Sequence, residues 1–564
     1  MSEIIKRLNL FKPAFSLLLI LSCHGFDSAP SRESIAALDL KRGKLISCGP
    51  ANNEFGTVHF EITAPENVQK DFNTAVELLH SFEYDESEKE FARIIDKAPA
   101  CAMAYWGVAM CNFHPLWEPP TELNLQKGSR AIAIAQSIAN KSDLESGFIN
   151  AAASYYEDWN NSDLHDRSIR FEKEMQDLHV KYPAKGEAAI FYALALCAAA
   201  DPRDKSYGNQ KKAGAILDSM YTKEPNHPGI IHYLIHTYDY PGLAKLALPA
   251  AKRYASVAPS SAHAQHMPSH IFVRLGLWDD CIQSNLQSIS SAACYAQSSG
   301  IQGHWDEELH GLDYLVYAYL QKGENAFAAD RLNDLARIEK VYPENFKVAY
   351  AFAAIPSRIA LENKNWKDAS ALTLHSHFPW DKFPWQEAII HFARLLGSAH
   401  IGNLRAAKEE LGRLNDLRDS LDKQKDDYKM KQVNVQILAG EAWISFYSNK
   451  KEEALRLMKL SADLEDSTEK HPVTPGEVLP ARELYADMLK ETKQYESALH
   501  AYQEVLQRSP NRFNSLCGVA TCSEKTGKSQ EAMAYYKQLS AMIDPKNCTR
   551  IEWIHAKSFL QKLK

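Results

Sequence analysis

The chain has 564 residues, of which 45% are hydrophobic and 24% charged, and its formal net charge is −7. This length is enough for several domains or one long repeat array. The pI near 6.3 gives no basic surplus of the kind that nucleic-acid binding needs, so we expect no nucleic-acid partner. The ten cysteines are scattered, and several lie in helical apolar patterns, which favours few disulfides or none.

Residues 1–22 are predicted to be a signal peptide. A basic start is followed by a short apolar run from Ala14 to Ser22 and then by Cys23, a pattern typical of secretory signals. The run is shorter than the roughly 20 apolar residues that a membrane-spanning helix needs. Its ending resembles a bacterial lipobox, which implies a lipid anchor on Cys23 and a lipoprotein of the bacterial cell envelope, on the periplasmic or outer-membrane side. An ordinary secretory signal, giving a secreted or periplasmic soluble protein, is the alternative.

Residues 23–66 are predicted to form an N-terminal tether with a short strand. The strand prediction rests on Gly56–Ile62, where apolar and polar residues alternate. From residue 67 onward, helical patterns dominate. We divide this part into an N-terminal array, 67–345, and a C-terminal array, 346–564.

Two histidine pairs with the spacing i,i+4 recur 34 residues apart in the N-terminal array. His232 and His236 form the first pair, and His266 and His270 form the second. The same period separates residues that flank them, namely Pro225 from Pro259 and Ala247 from Cys281.

This period resembles that of the tetratricopeptide repeat family. The resemblance covers most of residues 67–545, and it implies an all-α, right-handed superhelical solenoid of antiparallel helix pairs. Positions 2, 5 and 9 of each first helix share one face, since steps of three and four residues return to nearly the same angle. In this family that face lines a concave groove. The His-rich segments also resemble those of bacterial tetratricopeptide proteins, which implies no particular function.

The repeat frame places further residues on the groove face. With Pro228 and Ala262 as position 1, the paired histidines occupy positions 5 and 9 and His263 occupies position 2. In the following repeat, positions 2, 5 and 9 are His310, Asp313 and Tyr317. In an earlier repeat Trp106 falls at position 5, with His114 one turn beyond position 9, and in a later repeat Arg358 falls at position 9. The predicted ligand-binding groove therefore includes Trp106, His114, His263, Tyr317 and Arg358.

Histidine enrichment at these positions suggests a metal site. Eight of the 21 histidines lie between His227 and His310, where an even spread would put about three. Pairs at i,i+4 chelate one ion from one helix face, and imidazoles with a carboxylate favour Zn, Fe, Mn or Cu over harder ions. The predicted metal ligands are His232, His236, His266, His270, His310 and Asp313. In the alternative, the rings hydrogen-bond between helices or meet a ligand, and no cofactor is bound.

Three functions are compatible with this pattern. The first is a scaffold whose groove binds a peptide, a partner protein or a small molecule, with or without a transition metal. The second is a metal-dependent enzyme with a His/Asp site in the groove. The third is a structural component of the envelope whose histidines only pack.

Overall fold

The computed structural model describes residues 29–51, 53–116 and 119–562. The predicted signal peptide and Cys23 lie outside these residues. Helices make up about 69% of the described residues, which confirms the predicted all-α solenoid. Within the described part of the chain, no helix combines the length and the apolar character that crossing a membrane would need.

The helices of the N-terminal half run up to residue 321. They are α1 (Arg32–Ala36), α2 (Glu66–His80), α3 (Tyr84–Lys97), α4 (Ala102–Cys111), α5 (Glu122–Ser137), α6 (Asp143–Tyr156), α7 (Leu164–Lys181), α8 (Gly186–Ala198), α9 (Gly208–Tyr221), α10 (Pro228–Tyr238), α11 (Ala244–Val257), α12 (Ala262–His266), α13 (Pro268–Leu275), α14 (Trp278–Ser299) and α15 (Asp306–Gln321).

The remaining helices complete the chain to residue 562. They are α16 (Asn325–Leu335), α17 (Phe346–Glu362), α18 (Trp366–Ser370), α19 (Pro384–His400), α20 (Leu404–Lys423), α21 (Asp427–Tyr447), α22 (Lys451–Asp466), α23 (Ala481–Glu491), α24 (Tyr495–Arg508), α25 (Phe513–Lys525), α26 (Ser529–Met542) and α27 (Ile551–Lys562), with a 3₁₀ turn at Trp380–Lys382. Two short strands, β1 (His304–Trp305) and β2 (Val341–Tyr342), pair in parallel.

From α2 onward, consecutive helices pack as pairs, from α2 with α3 to α25 with α26. The first helix of a pair also contacts the first helix of the next, as α4 does with α6 and α17 with α19. These first helices form the inner layer of the solenoid. One of them is divided into α12 and α13 at Pro268, because proline has no N–H to continue the helical hydrogen bonds.

The inner layer winds so tightly that distant pairs meet. Helix α2 contacts α10, and α15 contacts α25. Accordingly, α8 and α10 are buried on nearly all sides, as expected of helices without a solvent-facing stripe. The concave face is therefore largely enclosed by protein.

The predicted strand at Gly56–Ile62 is wrong, although the segment is extended. The N–H groups of Val58, Phe60 and Ile62 donate to side chains of α2 rather than to another strand. Their acceptors are spaced four residues apart on that helix, so each alternate N–H meets one acceptor. The alternation that suggests a strand arises because the segment lies along a helix with Val58 and Phe60 buried.

A disulfide between Cys48 and Cys294 fastens this N-terminal segment to α14. The seven other described cysteines are free, and six of them are buried. One disulfide among the described residues agrees with the expected small number.

The apolar core has two main parts that meet along α15. Tyr314 and Ala318 belong to the first part, and Leu312 and Val316 belong to the second. Because one helix serves both parts, the packing runs continuously along the chain. The predicted division into arrays at residue 345 stays a prediction.

A buried ion-pair network joins α25 to earlier repeats. The guanidinium of Arg512 donates to Glu483 Oε2 at 2.7 Å, to Glu362 Oε1 at 2.6 Å and to the Tyr317 hydroxyl at 3.2 Å. Arg512 is fully buried. Its partners lie on α23, α17 and α15, so one side chain connects the end of the solenoid to its middle.

We expect Arg512→Met to lower the free energy of unfolding by about 3–5 kcal/mol, because it leaves two buried carboxylates without their cation. The matched change is Arg508→Met, which breaks a partly exposed pair with Asp466 and should cost less than about 1 kcal/mol. Urea unfolding followed by circular dichroism measures both. Equal losses in the two variants would contradict a structural role for the buried network.

Candidate metal centre

The first trihistidine site consists of His232 and His236 of α10 and His263 of α12. Their candidate ligand nitrogens all lie within 4.8 Å of one another. Nε2 of His232 lies 2.9 Å from Nε2 of His236 and 3.2 Å from Nε2 of His263. Imidazoles that bind one tetrahedral ion, with metal–nitrogen bonds of about 2.0–2.1 Å, approach each other to a similar extent.

The second trihistidine site consists of His266 of α12, His270 of α13 and His310 of α15, again with nitrogens within 4.8 Å. Nε2 of His266 lies 3.1 Å from Nε2 of His270. The ring centroids of His266 and His310 are 4.1 Å apart. All three residues are buried.

The two sites have the same construction. Each takes positions 5 and 9 of one repeat and position 2 of the next. The second site is therefore the first one displaced by one repeat, and the stacking of helix pairs alone brings the third imidazole to each.

The opposite nitrogen of His232 is fixed by the backbone. Nδ1 of His232 lies 2.6 Å from the carbonyl oxygen of His80, at the end of α2. A carbonyl oxygen only accepts, so Nδ1 carries the proton and the lone pair of Nε2 faces the first site. This contact depends on the packing of α2 against α10.

The second site has two such fixed rings. Nδ1 of His266 lies 2.8 Å from Asn285 Oδ1, and Nδ1 of His270 lies 3.3 Å from Asp239 Oδ2. Asn285 donates its own Nδ2 to the carbonyl of Cys281, which leaves Oδ1 as the acceptor. With the protons on Nδ1, the Nε2 lone pairs of the two rings face each other across 3.1 Å. A proton or a metal ion between them removes the repulsion.

Burial disfavours the proton. It lowers the pKa of His232, His236, His266 and His310 well below the ordinary value and also lowers that of His270. These imidazoles are therefore neutral near pH 7. Neutral imidazole is the form that coordinates metal ions.

A third group, His80, Glu187 and His227, forms a closed network instead. Glu187 accepts from Nε2 of His80 at 3.0 Å and from Nε2 of His227 at 2.9 Å. The Nδ1 atoms of these rings accept from the Tyr233 hydroxyl and from the N–H of Ile230. Burial raises the pKa of Glu187, but the two imidazoles more than offset it and lower that pKa overall. Since every ring nitrogen here has a protein partner, this group orients helices rather than offering an open site.

A pocket of about 490 Å³ adjoins both trihistidine sites. His263 of the first site and His270 and His310 of the second line it, together with Met267. Both sites thus open onto the same space. Its volume suits a small molecule.

Buried carboxylates also line this pocket. Glu83 accepts from the Ser261 hydroxyl at 2.6 Å, and burial raises the pKa of Glu83 to about 7. Oε2 of Glu307 lies 3.8 Å from Nδ1 of His263 and has no hydrogen-bond partner among the described residues. Oε1 of Glu307 pairs with Lys347. Burial raises the pKa of Glu307, but Lys347 and His263 more than offset it and lower that pKa well below its ordinary value. Of these two carboxylates, Glu83 is therefore the one that can accept or release a proton near pH 7.

A loop between α22 and α23, residues 467–480, fills the inner face next to the pocket; we call it the closing loop. The Tyr314 hydroxyl donates to the carbonyl of Val473 at 3.0 Å. Nη2 of Arg358 donates to the carbonyl of Gly476 at 2.8 Å. A peptide could use this part of the groove only by displacing the closing loop.

The closing loop also reaches the second trihistidine site. Nζ of Lys470 lies 3.0 Å from Asp239 Oδ2, the oxygen that faces Nδ1 of His270. Asp239 also accepts from Nε of Arg274 at 2.8 Å. Burial lowers the pKa of Lys470 to about 8. A residue from the C-terminal half thus helps to hold the carboxylate that orients a histidine.

Three predicted residues are held away from both sites by ion pairs and hydrogen bonds. Asp313, predicted as a metal ligand, is buried and paired with Arg358, and the structure does not bring it to either trihistidine site. Arg358, predicted to line the groove, is fully buried by the same pair. Tyr317 is buried against Arg512. In each case the predicted groove residue contacts a charged side chain from another repeat and does not line an open groove.

The other predicted groove residues divide between core and pocket. Trp106 is 1% exposed, because Phe60 of the N-terminal segment packs on it with ring centroids 6.0 Å apart, as do Phe148 and Phe191 at 5.7 and 5.4 Å. His114 lines the pocket, where its ring lies 4.7 Å from that of Tyr84. His263 lines the pocket and also belongs to the first site.

Sequence reasoning missed the groups that orient the imidazoles. Asp239 lies three residues beyond His236, so the spacing could have suggested it. Asn285, Glu307 and Lys470 carry no such signal, because the fold brings them in from other helices and from the closing loop.

Comparisons with known proteins identify no family. No family model matches this chain, and no curated protein matches it. Among solved structures, the chain is similar to human IFIT1, from a dimer with m7Gppp-AAAA, at 11% identity and a TM-score of 0.38 over 77% of this chain and 90% of that one. It is also similar to a tetratricopeptide repeat protein from Parabacteroides merdae, at 12% identity and a TM-score of 0.27 over 53% and 97%. At such identities and TM-scores, these similarities carry no functional implication for this chain.

The metal-free protein should lose stability through its buried histidines as the pH falls. The folded-state pKa values of His236 and His310 are lowered, so the unfolded chain binds protons first, from about pH 6.5 downward. Above that pH each histidine contributes its full stabilisation. Below it, the free energy of unfolding falls by up to about 1.4 kcal/mol per pH unit for each histidine. Urea unfolding between about pH 7.5 and pH 5 measures the loss.

The control is the double variant His236→Gln/His310→Gln, measured over the same range. Carboxylates whose pKa is raised by burial, such as Glu83, titrate in both proteins and cancel in the difference. The stability difference between wild type and variant should shrink as the pH falls. A difference independent of pH would contradict the neutral, buried state of the two rings.

Proposed function

We propose that this helical-repeat protein is a metal-dependent enzyme whose two trihistidine sites each hold a transition-metal ion and whose pocket admits a small-molecule substrate. One observation carries the proposal. The Nε2 lone pairs of His266 and His270 face each other across 3.1 Å, while burial disfavours a proton between them. A cation that binds both nitrogens satisfies this arrangement.

The donor set narrows the choice of metal. Each site offers three imidazoles, and Asp313, the carboxylate expected among the ligands, is paired with Arg358. Imidazole suits Zn, Cu and Fe, whereas Mn prefers carboxylate and water ligands. The geometry therefore favours Zn, Cu or Fe over Mn.

Three protein ligands are typical of catalytic sites, which keep a position open for water or substrate, whereas structural zinc sites are closed by four. Here the open side of both sites adjoins the pocket. A bound ion would act there as a Lewis acid or lower the pKa of a bound water. Glu83, whose pKa burial raises to about 7, is placed beside the pocket to accept or return a proton. This combination favours an enzyme over a purely structural metal protein.

The closing loop weighs against a peptide groove. It already occupies the inner face at Tyr314 and Arg358, the face on which a peptide would lie. A structural envelope component has no need of neutral imidazoles that face one another. A scaffold that binds a small ligand without metal remains the nearest alternative, and the metal experiment below separates the two.

We also propose that the protein is exported and anchored through Cys23. The disulfide between Cys48 and Cys294 supports an oxidising compartment, since cytosolic thiols are kept reduced. The signal-like pattern of residues 1–22 supports the same location.

Wild-type protein purified without a polyhistidine tag should retain one ion per trihistidine site when Zn, Cu or Fe is offered, and less when Mn is offered. The double variant His236→Ala/His270→Ala removes one ligand from each site and should retain no stoichiometric metal. Elemental analysis after dialysis measures both.

The control changes His179 and His500 to Ala, because these residues lie outside both sites, and it should leave the metal content unchanged. A wild-type protein that stays metal-free with all four metals would overturn the proposal. So would equal metal content in wild type and in the His236→Ala/His270→Ala variant, provided that circular dichroism shows equal helicity.

If Cys23 carries a lipid, Cys23→Ala should move the protein from the membrane fraction to the soluble envelope or the medium. Fractionation and immunoblotting of the two strains measure the change. Unchanged fractionation of the variant would reject the lipid anchor and leave the metal proposal intact.

A further inference from the structure

We propose that the two metal sites work as one centre, bridged by a small anion that carries a donor atom at each end. This inference rests on the proposed function, since it needs an ion in each site. It adds the chemical class of the ligand and the way in which the pocket holds it.

The repeat step sets the distance between the ions. His236 and His270 hold the same position in consecutive repeats, and their ring centroids are 6.2 Å apart. Equivalent atoms of neighbouring repeats are related by one repeat step. Ions bound at equivalent places therefore lie on the order of 6 Å apart, less than the usual 8–10 Å between helix axes because the inner face of the array is the narrow one.

This spacing decides the kind of bridge. Metal ions that share a single bridging atom lie about 3.5–4 Å apart, so ions about 6 Å apart are too distant for an oxide or hydroxide bridge. A ligand with two terminal donors and at least one atom between them spans the gap. Azide and carboxylates have this shape.

The pocket gives such a ligand access to both ions. It touches the first site through His263 and the second through His270 and His310. Met267, which is fully buried, lines the same pocket. A bridging ligand can therefore enter from one pocket and contact both ions.

Charge balance makes the ligand anionic. Six neutral imidazoles leave the full charge of two divalent ions in a buried region. Asp239 already pairs with Arg274 and Lys470 and Glu307 with Lys347, and Glu83 adds at most one negative charge. Uncompensated charge in such surroundings is costly, so an anion in the pocket is favoured.

The test uses copper(II)-loaded protein and sodium azide. In wild type carrying both ions, azide should bind with a stoichiometry of one per two coppers, seen in its charge-transfer absorption. The integrated electron paramagnetic resonance signal should fall as the ions couple. Two-point attachment should make the affinity at least about ten-fold higher than at one site.

Single-site proteins provide the matched controls. His236→Gln removes the first site and His310→Gln removes the second, and each should bind one azide per copper without loss of resonance signal. Wild type loaded with a single equivalent of copper repeats the comparison without any mutation. Fluoride, which has one atom and cannot span the gap, should bind wild type and single-site variants with equal affinity.

The outcomes separate this inference from the proposed function. Two azides per chain, bound as weakly as in the single-site proteins and with the full signal retained, overturn the bridged centre but leave both metal sites in place. A protein that retains no copper, and no other offered metal, overturns the metal sites and the bridged centre together.

Discussion

Close packing of the inner helices is the constraint on which the rest of the structure depends. It removes water from the concave face, so each polar group there needs a partner within the protein. The contact between α2 and α10 supplies one such partner, the His80 carbonyl that fixes His232. Asn285 does the same for His266. Once one nitrogen of a ring is fixed in this way, the other is directed into the site with its lone pair free for a cation.

Two segments that are distant in sequence complete this enclosure. The N-terminal segment covers Trp106 through Phe60 and is fastened to α14 by the disulfide of Cys48. The closing loop comes from the C-terminal half and places Lys470 on Asp239. Most contacts in a solenoid join neighbouring repeats, and its stability is distributed accordingly. The candidate site differs, because its surroundings form only when segments more than two hundred residues apart have docked.

The sequence could predict the all-α repeat fold and the six histidines, because both follow from a 34-residue period that is visible without any tertiary information. It could not predict which groove positions stay open. Position 5 holds His232 in one repeat and Trp106 in another, and the tryptophan is buried by Phe60 of the N-terminal segment together with Phe148 and Phe191 of other helices. Asp313 looked like a ligand because it shares the face of His310. In the structure Asp313 is instead paired with Arg358, which lies one repeat further on.

Asp313 and the histidines illustrate two ways to bury polar groups at one repeat position. A carboxylate at position 5 needs a cation, and Arg358 provides it from within the chain, so that position is closed. A neutral imidazole needs only one hydrogen bond to fix its orientation, and the lone pair of its other nitrogen stays available. Where two such rings turn their Nε2 atoms towards each other, as at His266 and His270, the described part of the chain places no cation between the facing nitrogens. The change from histidine to aspartate along the same face therefore marks where the row of candidate metal sites ends and where packing between repeats takes over.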